Sequence, residues 1–167
     1  MLFRSTDSDS YRSHFGATNY AFDRGGARFV VLDTSAGRLS PRQLSWLDGQ
    51  LDTPGRKLVF THMAPVTPET IAATHPVMKN GGFTQGAEEF VDIVRRRGAD
   101  RVYVGHMHGF AAFALRGVRY VLSGGGGSPL YPVPWLKRFY HHIMVTVGPE
   151  GVRDSVRRLD GTGFTID

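Results

Sequence analysis

Apolar positions in this chain fall into short blocks punctuated by glycine and proline, and the spacing inside each block predicts its element. Asn19–Asp23 and Arg28–Asp33 are strand-like runs on either side of Arg24-Gly25-Gly26, which predicts a hairpin. The second run contains Phe29-Val30-Val31-Leu32, continuously apolar as in a strand buried on both faces. Ser40-Pro41-Arg42-Gln43 then opens a helix: serine suits the N-cap, proline the first position, and glutamine the third position after the cap. Leu44, Leu47 and Leu51 follow at helical spacing and predict a core-facing stripe. Lys57–Thr61 is a short apolar strand with His62 just past its end. Residues 63–83, interrupted by Pro65, Pro68, Pro76, Gly81 and Gly82, read as a long irregular loop, a kind of segment that often carries function.

A second helix is predicted from about Thr84 to Arg97, with Phe90, Ile93 and Val94 inward. Arg101–Val104 is the next strand and runs into Gly105-His106-Met107-His108-Gly109. The rest reads as β structure: Phe110–Leu115, Val118–Ser123, Tyr140–Val147 and Val152–Leu159, with a Gly- and Pro-rich connection from Gly124 to Pro134. Residues 1–17 are polar and read as an irregular N-terminal segment, leaving residues 18–167 as the folded unit. Strand–helix alternation followed by a run of strands predicts an α/β (α+β) fold. A mixed β-sandwich flanked by helices suits this order better than a doubly wound parallel sheet.

Composition narrows the function classes. With 41% hydrophobic and 21% charged residues over 167 positions, the chain is not a disordered one. It has no cysteine, which removes disulfides, thiolate metal ligands and a cysteine nucleophile together. No run of about 18 apolar residues is present, so no membrane-spanning helix is expected. The first residues lack the apolar stretch of a signal peptide, and the compartment stays open. Twenty Lys and Arg against fifteen Asp and Glu give a net charge of +5, which favours anionic partners such as phosphate esters. The charge is scattered, and the one tight run, Arg95-Arg96-Arg97, reads as the exposed end of a helix. A nucleic-acid binder rests on charge alone and ranks last.

Candidate chemistry gathers at strand ends. His62 follows one apolar strand; His106 and His108 follow another, and ligands of α/β sheets collect beyond the carboxyl ends of strands. The i, i+2 spacing of His106 and His108 places both rings on one side of an extended segment. Imidazoles suit Zn, Fe, Mn or Ni, and a plain pair of hydrogen-bonded loop histidines is the competing reading. His141 and His142 open a strand, so at most one faces inward. Gly124–Gly127 reads as a turn or site wall, since no phosphate-binding helix follows.

Thr61-His62-Met63-Ala64-Pro65, Gly105-His106-Met107-His108-Gly109 and the run from Gly117 to Gly127 together resemble the C-terminal half of a calcineurin-like metallophosphoesterase. Phe15-Gly16 leading to Tyr20-Ala21-Phe22-Asp23, Phe29 to Thr34, Leu39-Ser40-Pro41 leading to Gln43-Leu44-Ser45-Trp46-Leu47, and His141-His142 support the resemblance, which runs from about Tyr11 onward. It implies the C-terminal part of a four-layer αββα sandwich with mixed sheets. It also implies two divalent metal ions (Fe, Mn, Zn or similar) about 3.5–4 Å apart, which polarise a phosphate ester and generate a hydroxide nucleophile. Carried over by residue, His62 and His106 would ligate one ion and His108 the other, with no catalytic residue identified beyond these ligands. His75, in the long loop, is a candidate contact to the phosphate-ester substrate.

The family's N-terminal motifs, Asp-x-His, Gly-Asp-x-x-Asp and Gly-Asn-His-Asp/Glu, are missing, and with them the remaining ligands. Three neutral imidazoles offset none of the charge of two divalent ions. The chain therefore reads as a truncated, partial metallophosphoesterase domain. The alternative is a non-catalytic remnant or interaction module that binds metal weakly and self-associates through exposed sheet surface.

Overall fold

The computed structural model describes residues 5–166. Helix α1 (Ser5–Phe15) occupies most of the segment that reads as irregular, and residues 1–4 of that segment lie outside the described residues. Among its described side chains, residues 10–15 are all exposed, so this stretch offers no buried stripe for the sequence to reveal. Its large apolar side chains Tyr11 and Phe15 are exposed and form an i, i+4 ring pair with centroids 5.0 Å apart.

Strands β1 (Tyr20–Arg24) and β2 (Ala27–Leu32) form the expected hairpin. Gly25 and Gly26 both have positive φ (58° and 77°), the backbone a two-residue type I′ turn requires. Helix α2 (Pro41–Gln50) starts at a complete capping box: Gln43 N donates to Ser40 Oγ at 3.3 Å and Ser40 N donates to Gln43 Oε1 at 3.0 Å. Its stripe of Leu44, Leu47 and Leu51 is buried.

After β3 (Arg56–Thr61), residues 63–83 are not irregular. They hold β4 (Ala64–Pro65), helix α3 (Pro68–Ala73), a 3-10 turn over Pro76–Asn80 and β5 (Gly82–Phe83), with β4 and β5 paired in parallel. These pieces are too short for hydrophobic periodicity to show. α3 is fixed instead by a reciprocal Thr67–Thr70 cap with Pro68 at the first position. Helix α4 (Ala87–Arg96) buries Phe90, Val91, Ile93 and Val94. The arginines at its end are more than a solvated face: Arg96 and Arg97 pair with Asp48 of α2 at 2.7 and 2.6 Å, and Arg97 also reaches Asp52 at 2.6 Å.

The remaining strands are β6 (Arg101–Val104), β7 (Phe110–Leu115), β8 (Val118–Ser123), β9 (His141–Gly148), β10 (Gly151–Arg158) and the unforeseen β11 (Gly163–Ile166). They build two main sheets. The larger runs β1-β2-β3-β6-β8-β7; its four central strands are parallel and its two edges antiparallel. The smaller is the antiparallel sheet β11-β10-β9.

Alternation along the central strands feeds two cores, which is why their sequences are continuously apolar. Val30, Val59, Val102 and Tyr120 point to α2 and α4, while Leu58, Tyr103 and Val121 point to the small sheet and meet Val156 and Ile166. The fold is thus α+β, with helices, a mixed sheet and a second sheet in layers. A buried charge ties the sheets together. Asp154 of β10 is fully buried, accepting from Arg101 Nε at 2.6 Å and from the Tyr103 hydroxyl at 2.5 Å, while Arg101 Nη2 donates to Val152 O at 3.0 Å. On the large sheet the aromatic row Phe22, Phe29, Phe60 and Tyr103 stacks at 4.9, 6.3 and 4.9 Å between successive centroids, and Phe22 at its end is 48% exposed.

Candidate metal centre

Because β2, β3, β6 and β8 are adjacent and parallel, their carboxyl ends line one edge of the large sheet. Asp33 follows β2, His62 follows β3, Gly105-His106 follows β6, and Ser123 closes β8. The loops behind these positions are stitched together: Gly105 N donates to His62 O at 2.9 Å, and Met63 N to the hydroxyl of buried Thr34 at 3.0 Å.

His106 adopts a left-handed backbone, φ 65°. That conformation costs a non-glycine residue about 1–3 kcal/mol, so the surrounding structure must hold it. Here His62 Nε2 and His106 Nδ1 stand 3.1 Å apart, with the rings nearly perpendicular at a centroid separation of 5.0 Å. Met107 turns the other way into the core at 4% exposure, leaving His106 and His108 half-buried at the rim. His108 is held independently. Its Nδ1 lies 2.9 Å from Pro129 O, a group that can only accept, so Nδ1 carries the hydrogen and Nε2 keeps its lone pair. Its ring packs on Tyr131 at 4.5 Å. Partial burial, and then the neighbouring charges of His106 and His108, hold the pKa of His62 below its ordinary value.

Two imidazole nitrogens each about 2.0–2.1 Å from one tetrahedral ion stand roughly 3.3–3.4 Å apart, and at an octahedral right angle roughly 2.9 Å. The 3.1 Å separation of His62 and His106 falls between these values and fits a single ion. A binuclear pair does not fit the residues present. Among the described residues, no group of three or more His, Cys, Asp or Glu side chains converges as a ligand set, and no carboxylate bridges the rim. The structure therefore brings His62 and His106 together and leaves His108 on the same rim outside that pair.

Other sequence candidates fall elsewhere. His75 is exposed where the chain enters the 3-10 turn, its carbonyl accepting from Met78 N at 2.9 Å. Of the two histidines opening β9, His141 is buried and His142 exposed. His141 Nδ1 donates to Phe139 O at 3.0 Å, so its Nε2 accepts from the Ser123 hydroxyl at 3.1 Å. Burial is the main reason its pKa is lowered; the Phe139 carbonyl works against this and His142 adds to it. Gly124 N is spent on Gly109 O at 2.8 Å, and Gly125 packs against the His141 ring, which makes this stretch a wall.

Asp33 caps its own turn, accepting from Ser35 N at 2.9 Å. Burial alone would raise its pKa, but hydrogen bonds from Ser35 and Thr18 and the nearby Arg12 outweigh it and keep the carboxyl below its usual range. Leu32 and Thr61 are register partners, so Asp33 and His62 each begin the loop that leaves one of two paired strand ends.

No family profile matches the chain, and no curated protein matches it in sequence. Solved structures do match in shape. GAP50, described as the anchor in the inner membrane complex of Plasmodium, aligns over 89% of this chain with a TM-score of 0.64 and 12% identity. The chain spans about half (52%) of that protein's length. Vps29 from Entamoeba histolytica matches more weakly: a single mutant at TM-score 0.33 and 13% identity over 73% of this chain and 87% of its own. The wild-type protein complexed with Zn2+ matches at 0.35 and 10% over 73% and 86%. At these identities, the GAP50 likeness speaks for the fold alone.

Proposed function

We propose that this chain carries the histidine side of a metallophosphoesterase-type site, in which His62 and His106 hold one divalent cation that engages a phosphate ester. The 3.1 Å approach of two imidazole nitrogens from different strands carries the reading. Its support is their position at the carboxyl edge of a parallel sheet, the strained backbone that aims His106, and the resemblance of Thr61-His62 and Gly105-His106-Met107-His108-Gly109 to the family's motifs. A cation held there supplies Lewis-acid polarisation of a phosphoryl oxygen. The protein's own part is to bring His62 and His106 together and to orient His108 through Pro129, so that its Nε2 faces a phosphate oxygen's proton. His75 is the loop candidate for substrate contact. Full two-metal catalysis is not assigned to these residues alone, because three neutral donors leave the charge of a second ion uncompensated.

Calorimetric titration of chelator-treated protein with Zn2+ or Mn2+ tests this. One site per chain is expected, weakened at least about tenfold in His106→Ala, because loss of even an outer partner of a metal ligand costs 10–100-fold. Equal binding by wild type and His106→Ala overturns the assignment. Hydrolysis of a generic aryl phosphate by the metal-loaded protein then reports how far the site is competent.

A second reading, an interaction module, is favoured by the half-covered aromatic row ending at Phe22. The row carries no charge of its own, so two copies can oppose the same surface across a twofold without like-charge repulsion. Sedimentation should then show a concentration-dependent dimer that Phe22→Ser dissociates; a monomer at all concentrations removes this reading.

A further inference from the structure

The half-buried arginines of this fold are held by partners, with one exception. Arg28, Arg56, Arg97, Arg101 and Arg116 pair with carboxylates, and Arg158 lies 4.3 Å over the Phe139 ring. Arg119 of β8 is half-buried too, yet among the described residues no hydrogen bond, carboxylate or aromatic face meets its guanidinium. The register explains why. Arg119 is the partner of Arg101 on the neighbouring parallel strand, so two guanidinium side chains leave the same face of the large sheet, on strands about 4.8 Å apart. That face meets the small sheet, whose Asp154 offers one carboxylate. Both of its oxygens are taken, one by Arg101 Nε and the other by the Tyr103 hydroxyl. Arg119 is left with an uncompensated charge beside a like charge.

Arg119 opens instead on a cleft of about 400 Å3 between the edge strands β7 and β11, a size within the range of small-molecule sites. Ala111 and Ala112 leave room on the β7 side, Phe164 and Ile166 come from β11, and Trp135 adds a further aromatic wall. Lys137 supplies a second cation, its Nζ 5.5 Å from the centroid of the Phe164 ring. Among the described residues no Asp or Glu lines this cleft, and neither do His62, His106 or His108.

We propose that the cleft binds a small aromatic carboxylate, with both oxygens on the Arg119 guanidinium and the ring against Phe164 and Ile166. A guanidinium fork matches the two oxygens of a carboxylate. A single negative charge also costs less to bring between apolar walls than a phosphate dianion does. Bound there, the anion offsets the repulsion between Arg119 and Arg101.

Calorimetry on chelator-treated protein tests this with 2-naphthoate. One saturable site is expected, and 2-naphthalenemethanol, the same ring without the charge, should bind at least about tenfold more weakly. Arg119→Met keeps the apolar stem and should bind acid and alcohol alike. Should that variant fail to fold, Arg119→Lys decides: it keeps the charge but loses the fork, and naphthoate affinity should fall several-fold. Lys137→Ala, at an exposed position, should cause a smaller loss that fades at high salt. His106→Ala should bind naphthoate as wild type does. No saturable heat, equal wild-type affinity for acid and alcohol, or full naphthoate affinity in Arg119→Met or Arg119→Lys overturns the proposal. Displacement of naphthoate by an equal concentration of inorganic phosphate would show a plain anion site and overturn the aromatic carboxylate.

Discussion

The two ends of strand β6 treat polar groups in opposite ways. At its start, Arg101 and Tyr103 meet Asp154, with Arg101 Nε and Nη2 and the Tyr103 hydroxyl all donating to acceptors in the neighbouring sheet. Past its far end, His106 is bent into a left-handed conformation and its Nδ1 lies within hydrogen-bond distance of His62 Nε2, at 3.1 Å. One end spends its polarity on joining sheets; the other pairs two imidazoles with each other at an exposed rim. A satisfied cluster inside and a strained pair outside is the contrast expected between a structural and a ligand-binding cluster.

The contrast breaks most visibly at Asp154. Asp154→Ala leaves Arg101 with no carboxylate partner in a largely buried place and should cost about 3–5 kcal/mol in chemical denaturation, as for other broken buried pairs. A loss under about 1 kcal/mol would mean the clamp is replaceable by water. A smaller effect comes from acid. His141 is buried and its pKa lies below the ordinary 6.5, so above pH 6.5 it is neutral folded or unfolded and contributes nothing to the pH dependence. As the pH falls below 6.5 the unfolded chain takes up the proton first, and stability declines by at most about 1.4 kcal/mol per pH unit until the folded-state pKa is passed. Melting temperatures measured from neutral to mildly acid pH should fall less steeply in His141→Phe; identical slopes would place the titrating group elsewhere. The smallest change is expected at the rim itself. His106→Gly relieves the left-handed strain but loosens the unfolded chain, so stability should rise by no more than about 1 kcal/mol, or hold, while metal affinity is lost. Clear destabilisation would show that His106 supports the fold.

The same contrast explains what the sequence disclosed. Ser40, Gln43 and the leucines of α2 lie within about three turns of one another, so local spacing was enough to place the helix and its buried face. That His62 and His106 share one edge was legible because each follows an apolar strand, and parallel strands that neighbour one another end on the same side. Asp154 was not legible. It lies in a strand rich in arginine and reads as one more surface charge, and partners 53 and 51 positions away, Arg101 and Tyr103, make it interior. α3 escaped because threonines, not apolar repeats, define it, and β11 because four residues show too little alternation. The cleft at Arg119 depends on β7, β8, β11 and the segment before β9, so no single window of sequence contains it.

The glycine stretch after β8 carries a consequence for how this edge can change over generations. A methyl group on Gly124 would lie 2.1 Å from the Met107 carbonyl oxygen, and one on Gly125 would lie 2.2 Å from His141 Nδ1, whereas one on Gly126 would meet nothing within 4 Å. A randomised library across this stretch should therefore return near-invariance at its first two codons and wide variety at the third. The rim can gain new chemistry by drift at Gly126, while its neighbours anchor the strand end behind it.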